Sequence, residues 1–309
     1  MTKKSKLLTQ TLLSAVAISM VGSIVLASSA KAEQLWDPYL RGVNEGVPAG
    51  ALPPPGVYGV LDNYWANYSA YNNSGHKVSG TSLTALVEVP IVLWVPGFDI
   101  LGASYAAGIA QPFDYTNSTG LTHHVGSASG NWGTFNTILI PGILSWSLPN
   151  NFFASAGIEV YLPDASSTVD SFPHNGGLPS GNAFAAIQPD LGLSWLSDGW
   201  DLSVGTHVSI PVTSDHAYRS AAEFSADYTA TKTIGNWTFG VGASQENQFG
   251  DDSSYGHSVA NTAVTNFSIG PIVGYQFGGI GIQATWNQTL VTHNDVGGNF
   301  VNIRLVTAF

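Results

Sequence analysis

The chain ends in the stretch FVNIRLVTAF, Phe300 to Phe309. Successive residues of a β-strand point to opposite faces, so the apolar Ile303 and the charged Arg304 fall on different sides. One face of this stretch can then meet lipid while the other meets a polar interior. The pattern predicts a strand of a membrane-embedded β-sheet, and the rest of the sequence can be tested against that expectation.

The other end of the chain carries an export signal. Three lysines open it, an uncharged and largely apolar run extends from Leu12 to Leu26, and Ala30-Lys31-Ala32 offers small residues for cleavage. A run this short is typical of a secretory signal peptide rather than of a membrane-spanning helix. Residues 1–32 are therefore predicted to be removed. An exported chain that closes on a strand and Phe309 resembles the bacterial outer-membrane proteins that the barrel-assembly machinery inserts, with Phe309 as the membrane-insertion terminus.

The mature part is acidic and sparsely charged. Residues 33–309 keep five basic residues against all 20 acidic ones, which gives a net charge of −15. Charged residues are far below the roughly one quarter that is usual for soluble domains. So few basic residues argue against nucleic-acid binding. The absence of cysteine excludes disulfides and a lipoprotein anchor. No nucleotide or phosphate motif is present, so no cofactor is predicted.

Strands and turns alternate regularly along the mature chain. Tight turns are predicted at 95–99, 149–151, 197–199, 232–236 and 278–279, and longer polar segments at 72–81, 113–132, 163–182, 211–219, 250–263 and 291–298. The predicted strands are 57–71, 82–95, 100–112, 133–148, 152–162, 183–196, 200–210, 220–231, 237–249, 264–277, 280–290 and 299–309. Short turns on one side and long loops on the other are typical of an outer-membrane barrel, with the short side periplasmic. The sequence therefore predicts an all-β fold: a transmembrane antiparallel barrel of about twelve strands over residues 57–309, in the bacterial outer membrane.

Aromatic residues mark one edge of this barrel. Five tryptophans fall at predicted periplasmic strand ends: Trp94, Trp146, Trp195, Trp200 and Trp237. An indole ring at the interface keeps its ring in lipid and its N–H near water. These residues are predicted to form a periplasmic aromatic belt.

Strand parity also predicts what lines the lumen. The candidates are Glu88, Glu159, Asp190, Asp201, Glu223, Asp227, Glu246 and Arg304. An acidic lumen disfavours anions by Coulomb repulsion and tolerates neutral or cationic solutes. Twelve strands lie between the eight of a filled barrel and the sixteen of an aqueous porin, so any pore is expected to be narrow.

Residues 33–56 precede the first strand and contain Pro48 and the run Pro53-Pro54-Pro55, so they are not predicted to be strand. Two alternatives remain open for this proline-rich segment. It is either an exposed tether or a small insert into the lumen.

Two kinds of reactive site are considered and not predicted. His207-Val208-Ser209 superficially matches the serine and histidine of outer-membrane phospholipases, but both side chains face inward and strand 8 offers no asparagine. The protein is thus not expected to be an enzyme. Seven histidines fall in predicted extracellular loops: His76, His123, His124, His174, His216, His257 and His293. Apart from the adjacent His123-His124 they lack recognisable ligand spacing, so no metal site is predicted.

A series of short motifs extends over residues 52–309. They are Leu52-Pro53-Pro54-Pro55-Gly56-Val57-Tyr58, Leu139-Ile140-Pro141, Ala156-Gly157-Ile158-Glu159-Val160-Tyr161-Leu162-Pro163, Tyr218-Arg219-Ser220, and Ile269-Gly270-Pro271-Ile272-Val273-Gly274-Tyr275-Gln276-Phe277. In order and spacing they resemble the outer-membrane proteins grouped as the meta-pathway phenol-degradation transporter family. Leu162-Pro163-Asp164-Ala165 and Ser220-Ala221 depart from the family pattern, which leaves loop geometry in question.

That resemblance implies a barrel associated with the uptake of aromatic or other hydrophobic compounds. The expected function is passive or facilitated passage of such small solutes, in a membrane of lipid and lipopolysaccharide. Two other classes stay open: a narrow general porin for polar or cationic solutes, and a structural or adhesive barrel that presents its loops.

Overall fold

The computed structural model describes residues 36–121, 127–128, 130, 132–168, 179–214 and 218–309. The predicted signal peptide, residues 1–32, lies outside the described residues, as do four of the loop histidines: His123, His124, His174 and His216. Among the described residues, no helix is both long and apolar enough to cross a bilayer.

In the described chain, twelve antiparallel strands form a closed barrel. They are β1 (Gly56–Ala70), β2 (Ser82–Val95), β3 in two segments (Ala103–Ala110 and Phe113–Thr119), β4 (Ile138–Ser147), β5 (Phe152–Tyr161), β6 (Ala186–Ser197), β7 (Trp200–Pro211), β8 (Glu223–Ile234), β9 (Trp237–Gln248), β10 (Thr265–Phe277), β11 (Ile280–His293) and β12 (Val296–Ala308). Each strand pairs with its neighbours in sequence, and β12 pairs with β1 to close the sheet. The predicted fold class and strand number are confirmed.

The connections differ in length between the two ends of the barrel. At the end where β1 begins and β12 ends, β6 and β7 are joined by Asp198-Gly199, whose φ angles are 52° and 79°. Two left-handed residues in succession are what a tight type I′ hairpin needs, and glycine supplies the second without strain. A one-turn 3₁₀ helix, Pro149–Asn151, joins β4 to β5 at the same end. Short two-residue strands occur in other described connections: Asp99–Ile100, Ser127–Ala128, Gly133–Thr134, Tyr218–Arg219, Ser253–Ser254 and His257–Ser258.

The third strand runs farther than predicted. The sequence gives a strand over 100–112 followed by a loop, whereas β3 pauses at Gln111-Pro112 and resumes at Phe113. Proline has no N–H for the ladder, which interrupts the strand there. Pairing with β2 resumes at Phe113, which lies opposite Glu88.

The connection between β11 and β12 is shorter than predicted. A polar loop is expected over 291–298, but the two strands are joined by Asn294-Asp295 alone. Glycines at 297 and 298 had the appearance of loop residues. A β-carbon at Gly298 would overlap the Asn67 carbonyl oxygen, so glycine here permits close strand pairing rather than ending it.

The tryptophans of the predicted belt all lie within two residues of a strand end at the short-turn side. Trp94, Trp200 and Trp237 are each about half exposed, on the outer face. Phe309 is 84% exposed, and its backbone N–H donates to the Val57 carbonyl of β1 at 2.9 Å. Its role in membrane insertion stays a prediction.

An ion pair bridges the seam where the barrel closes. Arg304 of β12 lies opposite Asp62 of β1 and donates from Nε to Oδ1 at 2.9 Å and from an Nη atom to Oδ2 at 3.0 Å. Asn302 adds a third donor to Asp62, whose side chain is fully buried. Two parallel bonds between guanidinium and carboxylate fix the register of the closing pair as well as its charge balance.

Replacing Arg304 with methionine is expected to destabilise the barrel by about 3–5 kcal/mol, because it leaves the Asp62 carboxylate buried without its cation. Urea unfolding of the refolded barrel in detergent measures the loss. The double variant Asp62→Asn/Arg304→Gln removes both charges and should recover most of it. Equal instability of the single and double variants would contradict this account.

Candidate functional site

Residues 36–55, here called the N-terminal segment, lie against the inner face of the barrel. Its backbone N–H groups bond to strand side chains: Gly42 and Asn44 donate to Asp227 at 3.1 and 2.9 Å. Farther along, Gly46 donates to Thr229 Oγ1 at 2.7 Å and Gly50 to Ser194 Oγ at 2.8 Å. Buried backbone amides need acceptors, and inward polar side chains supply them. The segment thus takes the arrangement of a lumen insert.

The carbonyl groups of the segment accept hydrogen bonds from strand side chains. Ser155 and Ser145 donate to the carbonyls of Ala49 and Gly50 at 2.8 and 2.7 Å. Gln283 of β11 donates to the Glu45 carbonyl at 2.7 Å. The segment therefore contacts β4, β5 and β6 near its end and β8, β9, β11 and β12 near its middle, and so crosses the lumen.

Glycines on three strands make room for it. A β-carbon at Gly192 of β6 would overlap the Ala49 carbonyl, and one at Gly242 of β9 would overlap the Glu45 carboxyl group. Gly205 of β7 lies opposite Gly192 and would place a β-carbon 3.4 Å from Ala49 Cβ. These glycines lie along the path of the segment. Their positions in the sequence are a signal from which that path could be predicted.

One wall of the lumen is polar and acidic. Arg41 of the segment reaches three carboxylates there: Asp295 at 2.9 Å, Glu246 at 3.0 Å and Asp37 at 3.6 Å. Arg41 also lies 5.5 Å from the centre of the Tyr68 ring. The barrel therefore holds a second internal cation besides Arg304, and sequence reasoning missed it because the place of the segment was open.

A second polar group surrounds His207 of β7. Its Nδ1 lies 2.7 Å from Asp190 Oδ1, and its ring stacks on Tyr39 of the segment with centroids 4.0 Å apart. The Tyr39 hydroxyl donates to Asp227 at 2.5 Å. Ser209 donates instead to Gln188 at 2.7 Å. His207 and Ser209 thus have separate partners and do not form the nucleophile–base pair of a phospholipase.

Another part of the lumen wall is apolar. Side chains of β1, β2, β3 and β12 form it, and we call this set the apolar wall: Tyr64, Ala66, Tyr68, Leu83, Ala85, Val87, Val89, Ala110 and Phe300. The rings of Tyr64 and Phe300 stack with centroids 4.7 Å apart. Trp36 and Leu40 of the N-terminal segment pack against the apolar wall. The segment therefore shows an apolar side to one wall and a charged, hydrogen-bonding side to the other.

The placement of Glu88 corrects one prediction. It lies opposite Asn63, while its neighbour Val89 lies opposite the inward-facing Asp62. Paired residues share a face, so Glu88 points outward and Val87 and Val89 point into the lumen. The prediction took the charged face of β2 as the lumen face. In the structure the apolar face of β2 points into the lumen, where it packs under the segment.

The other predicted lining residues have inward partners. Glu159 accepts hydrogen bonds from Tyr161 and Gln188, Asp190 contacts His207, and Asp201 accepts from Ser203. Asp227 accepts from the N-terminal segment, and Glu246 forms an ion pair with Arg41. Arg304 pairs with Asp62, and Glu223 is buried on the same face. Further acids join them in the lumen: Asp37, Glu45, Asp62, Asp114 and Asp295. Whether any of these acids sets selectivity stays a prediction.

Below the segment, toward the short turns, lies a cavity of about 420 Å³. Gly46 and Pro48 of the segment are among its lining residues, together with Asp201, Thr231 and Gln283 of the barrel. The volume falls in the range of pockets that hold small ligands. The segment therefore forms part of the boundary of this cavity.

Burial changes the acidity of two carboxyl groups on the segment. Desolvation, and then repulsion from Asp227, raise the pKa of Glu45 to about 9, although the Asn287 amide bonds to it and favours the charged form. Desolvation, and then Asp295, raise the pKa of Asp37 to about 6 against the opposing effect of Arg41. Near neutral pH, Glu45 is therefore held in the lumen as the neutral acid.

The barrel resembles known outer-membrane proteins. A crystal structure of the COG4313 outer membrane channel from Pseudomonas putida F1 superposes with a TM-score of 0.73 at 17% identity, over 86% of this chain and 99% of that one. Two looser likenesses are the β domain of the Bordetella autotransporter BrkA (TM-score 0.48, 10% identity, 83% and 100% covered) and the Ralstonia pickettii toluene transporter TbuX (0.42, 11%, 85% and 92%). No protein of curated function matches the sequence.

The family described as "Putative MetA-pathway of phenol degradation" matches residues 67–305, most of the barrel. This agrees with the resemblance drawn from the sequence motifs. The match spans well over half of the chain and nearly all of its strands. The protein is an outer-membrane β-barrel and belongs to this phenol-degradation family.

Proposed function

We propose that the chain is an outer-membrane channel for passive or facilitated uptake of small hydrophobic or aromatic compounds. The apolar wall carries this proposal. The interior of a membrane barrel is ordinarily polar, so a continuous apolar and aromatic strip along β1 and β2 calls for a reason. Such a strip offers an apolar solute a surface that water and ions do not use. The family's link to phenol degradation supports the same class of solute.

The acidic wall would contribute to selectivity by excluding anions. Buried and half-buried carboxylates outnumber the internal cations Arg41 and Arg304, so an anion entering the lumen meets net repulsion. A neutral aromatic molecule does not. The lumen would thus favour uncharged apolar solutes over organic acids.

Passage requires the N-terminal segment to move. Trp36 and Leu40 occupy the apolar wall, and an apolar solute that binds there would compete with them. The other bonds of the segment are polar, and they involve Asp227 and Thr229 of β8 and Arg304 of β12. Displacement by the solute itself would let the solute pass while the barrel stays closed to ions at other times.

Replacing Val87 with asparagine is expected to lower the uptake of a radiolabelled monoaromatic compound, such as phenol, several-fold. The amide places an unsatisfied polar group in the apolar wall and weakens its affinity for an apolar solute. Uptake is measured in cells that lack their other outer-membrane channels. The matched control is Thr231→Asn, at a buried inner position on the polar wall, where the same side chain should leave uptake near wild type. An equal loss in both variants, or none in either, would refute the proposed role of the apolar wall.

Replacing Gly192 with alanine is expected to release the segment. The new methyl group overlaps the Ala49 carbonyl, and overpacking of this kind costs about 1–3 kcal/mol. Planar-bilayer recordings should then show several-fold greater mean conductance, approaching that of a barrel lacking residues 36–50. Gly157→Ala is the control, because the nearest atom to a β-carbon there is Ile143 Cγ1 at 3.4 Å, an ordinary van der Waals contact. Unchanged conductance in the Gly192 variant, with the deletion open, would argue against docking at this site.

The docked segment is expected to loosen as the pH rises. The pKa of Glu45 is about 9 when docked and close to its ordinary 4.5 when released, so docking is strongest below pH 4.5 and weakens up to pH 9. Arg41 is the one trypsin site of the segment, so tryptic cleavage after it reports release. Cleavage should increase between pH 7 and 9 in the wild type relative to Glu45→Gln, which cannot ionise. Identical pH profiles for the two proteins would contradict the prediction.

A further inference from the structure

Three carboxyl groups meet where the N-terminal segment passes β8 and β9. One oxygen each from Asp37, Glu223 and Glu246 lies within 4.8 Å of the others. Glu223 and Glu246 are 3% and 1% exposed. A fourth carboxylate, Asp295, joins them through Arg41, which contacts Asp295 and Glu246 on one side of the group. Four acids therefore lie close together in a largely buried place, and one guanidinium contacts three of them.

This charge balance is unfavourable as it stands. Arg41 contacts three of the four carboxyl groups, and Glu223 is the fourth. One guanidinium cannot balance four ionised carboxylates that are largely removed from water. Buried charges are tolerated when they are paired or bind a metal. A bound cation would supply further positive charge at this place.

Two buried oxygen atoms in this region have no hydrogen-bond partner. Within the described chain, Glu246 Oε1 has none, and Oε2 meets Arg41 only in an ion pair that falls short of a hydrogen bond. Asn266 of β10 lies directly opposite Glu246 in the sheet and is 2% exposed. Its amide nitrogen donates to Asp295 Oδ2 at 2.7 Å, while its Oδ1 is without a partner among the described residues. Protein contacts alone leave these two buried oxygens unsatisfied.

We propose that Asp37, Glu223 and Glu246, with Asn266 beside them, bind a divalent cation of the hard, oxygen-seeking class, Ca²⁺ or Mg²⁺. Carboxylate and amide oxygens are the ligands these ions prefer, and flexible sets of mixed oxygens suit Ca²⁺. Zinc and copper favour imidazole or thiolate ligands, which this group does not offer.

The position of the site gives the cation a consequence. Asp37 belongs to the N-terminal segment, whereas Glu223, Glu246 and Asn266 belong to β8, β9 and β10. An ion bound by all of them ties the segment to the barrel wall. The cation would therefore act as a latch that favours the docked segment. This inference does not depend on which solute crosses the barrel.

Calorimetric titration of CaCl₂ into the mature barrel in detergent tests the site. One Ca²⁺ per barrel is expected, with affinity at least tenfold weaker in Glu223→Gln and in Glu246→Gln. Glu159→Gln is the matched control, because Glu159 is a lumen carboxylate bound to Tyr161 and Gln188 in the other polar group. It should bind Ca²⁺ like the wild type. No saturable binding by the wild type, or wild-type affinity in both site variants, would overturn the proposal.

Tryptic cleavage after Arg41 tests the latch on the same proteins. Ca²⁺ is expected to slow this cleavage several-fold in the wild type and in Glu159→Gln, and chelation should restore it. The site variants should be cleaved at one rate with or without Ca²⁺. Heat-modifiable migration on gels shows that each variant has folded into a barrel. Binding of Ca²⁺ with no change in cleavage would refute the latch while leaving the site.

Discussion

The docking of the N-terminal segment on Asp227 is the contact on which the interior of this barrel depends. A segment without regular secondary structure carries backbone N–H groups that must be bonded once it leaves water. Asp227 accepts from Gly42 and Asn44 and from the hydroxyl of Tyr39, so one carboxylate satisfies three donors from six residues of chain. Without an acceptor on β8 at this height, these three donors of the segment would be buried without a hydrogen bond.

The two walls of the lumen follow from that docking. One side of the segment carries N–H donors and faces the polar wall. The other side carries Trp36 and Leu40 and packs against the apolar wall. This explains why β2 turns Val87 and Val89 inward and Glu88 outward, against the usual pattern of a membrane barrel. The transport of an apolar solute that we propose would use a surface that also holds an apolar part of the protein.

Much of the barrel could be predicted from sequence, and the interior largely could not. Two-residue periodicity and turn residues are local signals, so strand number, class and the periplasmic tryptophans followed from them. β2 spans Ser82–Val95, as its pattern predicts. The rule that charge points inward fails for Glu88, because what that strand packs against is a segment distant in sequence. Gly298 is misleading for the same reason, because a β-carbon there would overlap the carbonyl oxygen of Asn67, on the far side of the closing seam.

The contacts of the lumen acids also change the role that we expect of these acids. As bare lining residues they would be expected to select cations in an open pore. In the docked state most of them are engaged: Asp227 by backbone amides, Glu246 by Arg41, Asp62 by Arg304. Their charge becomes available to a passing solute only when the segment leaves. Under the proposed function, selectivity and closure would draw on the same carboxylates. A barrel opened by removal of the segment should then prefer cations, even though the proposed solute carries no charge.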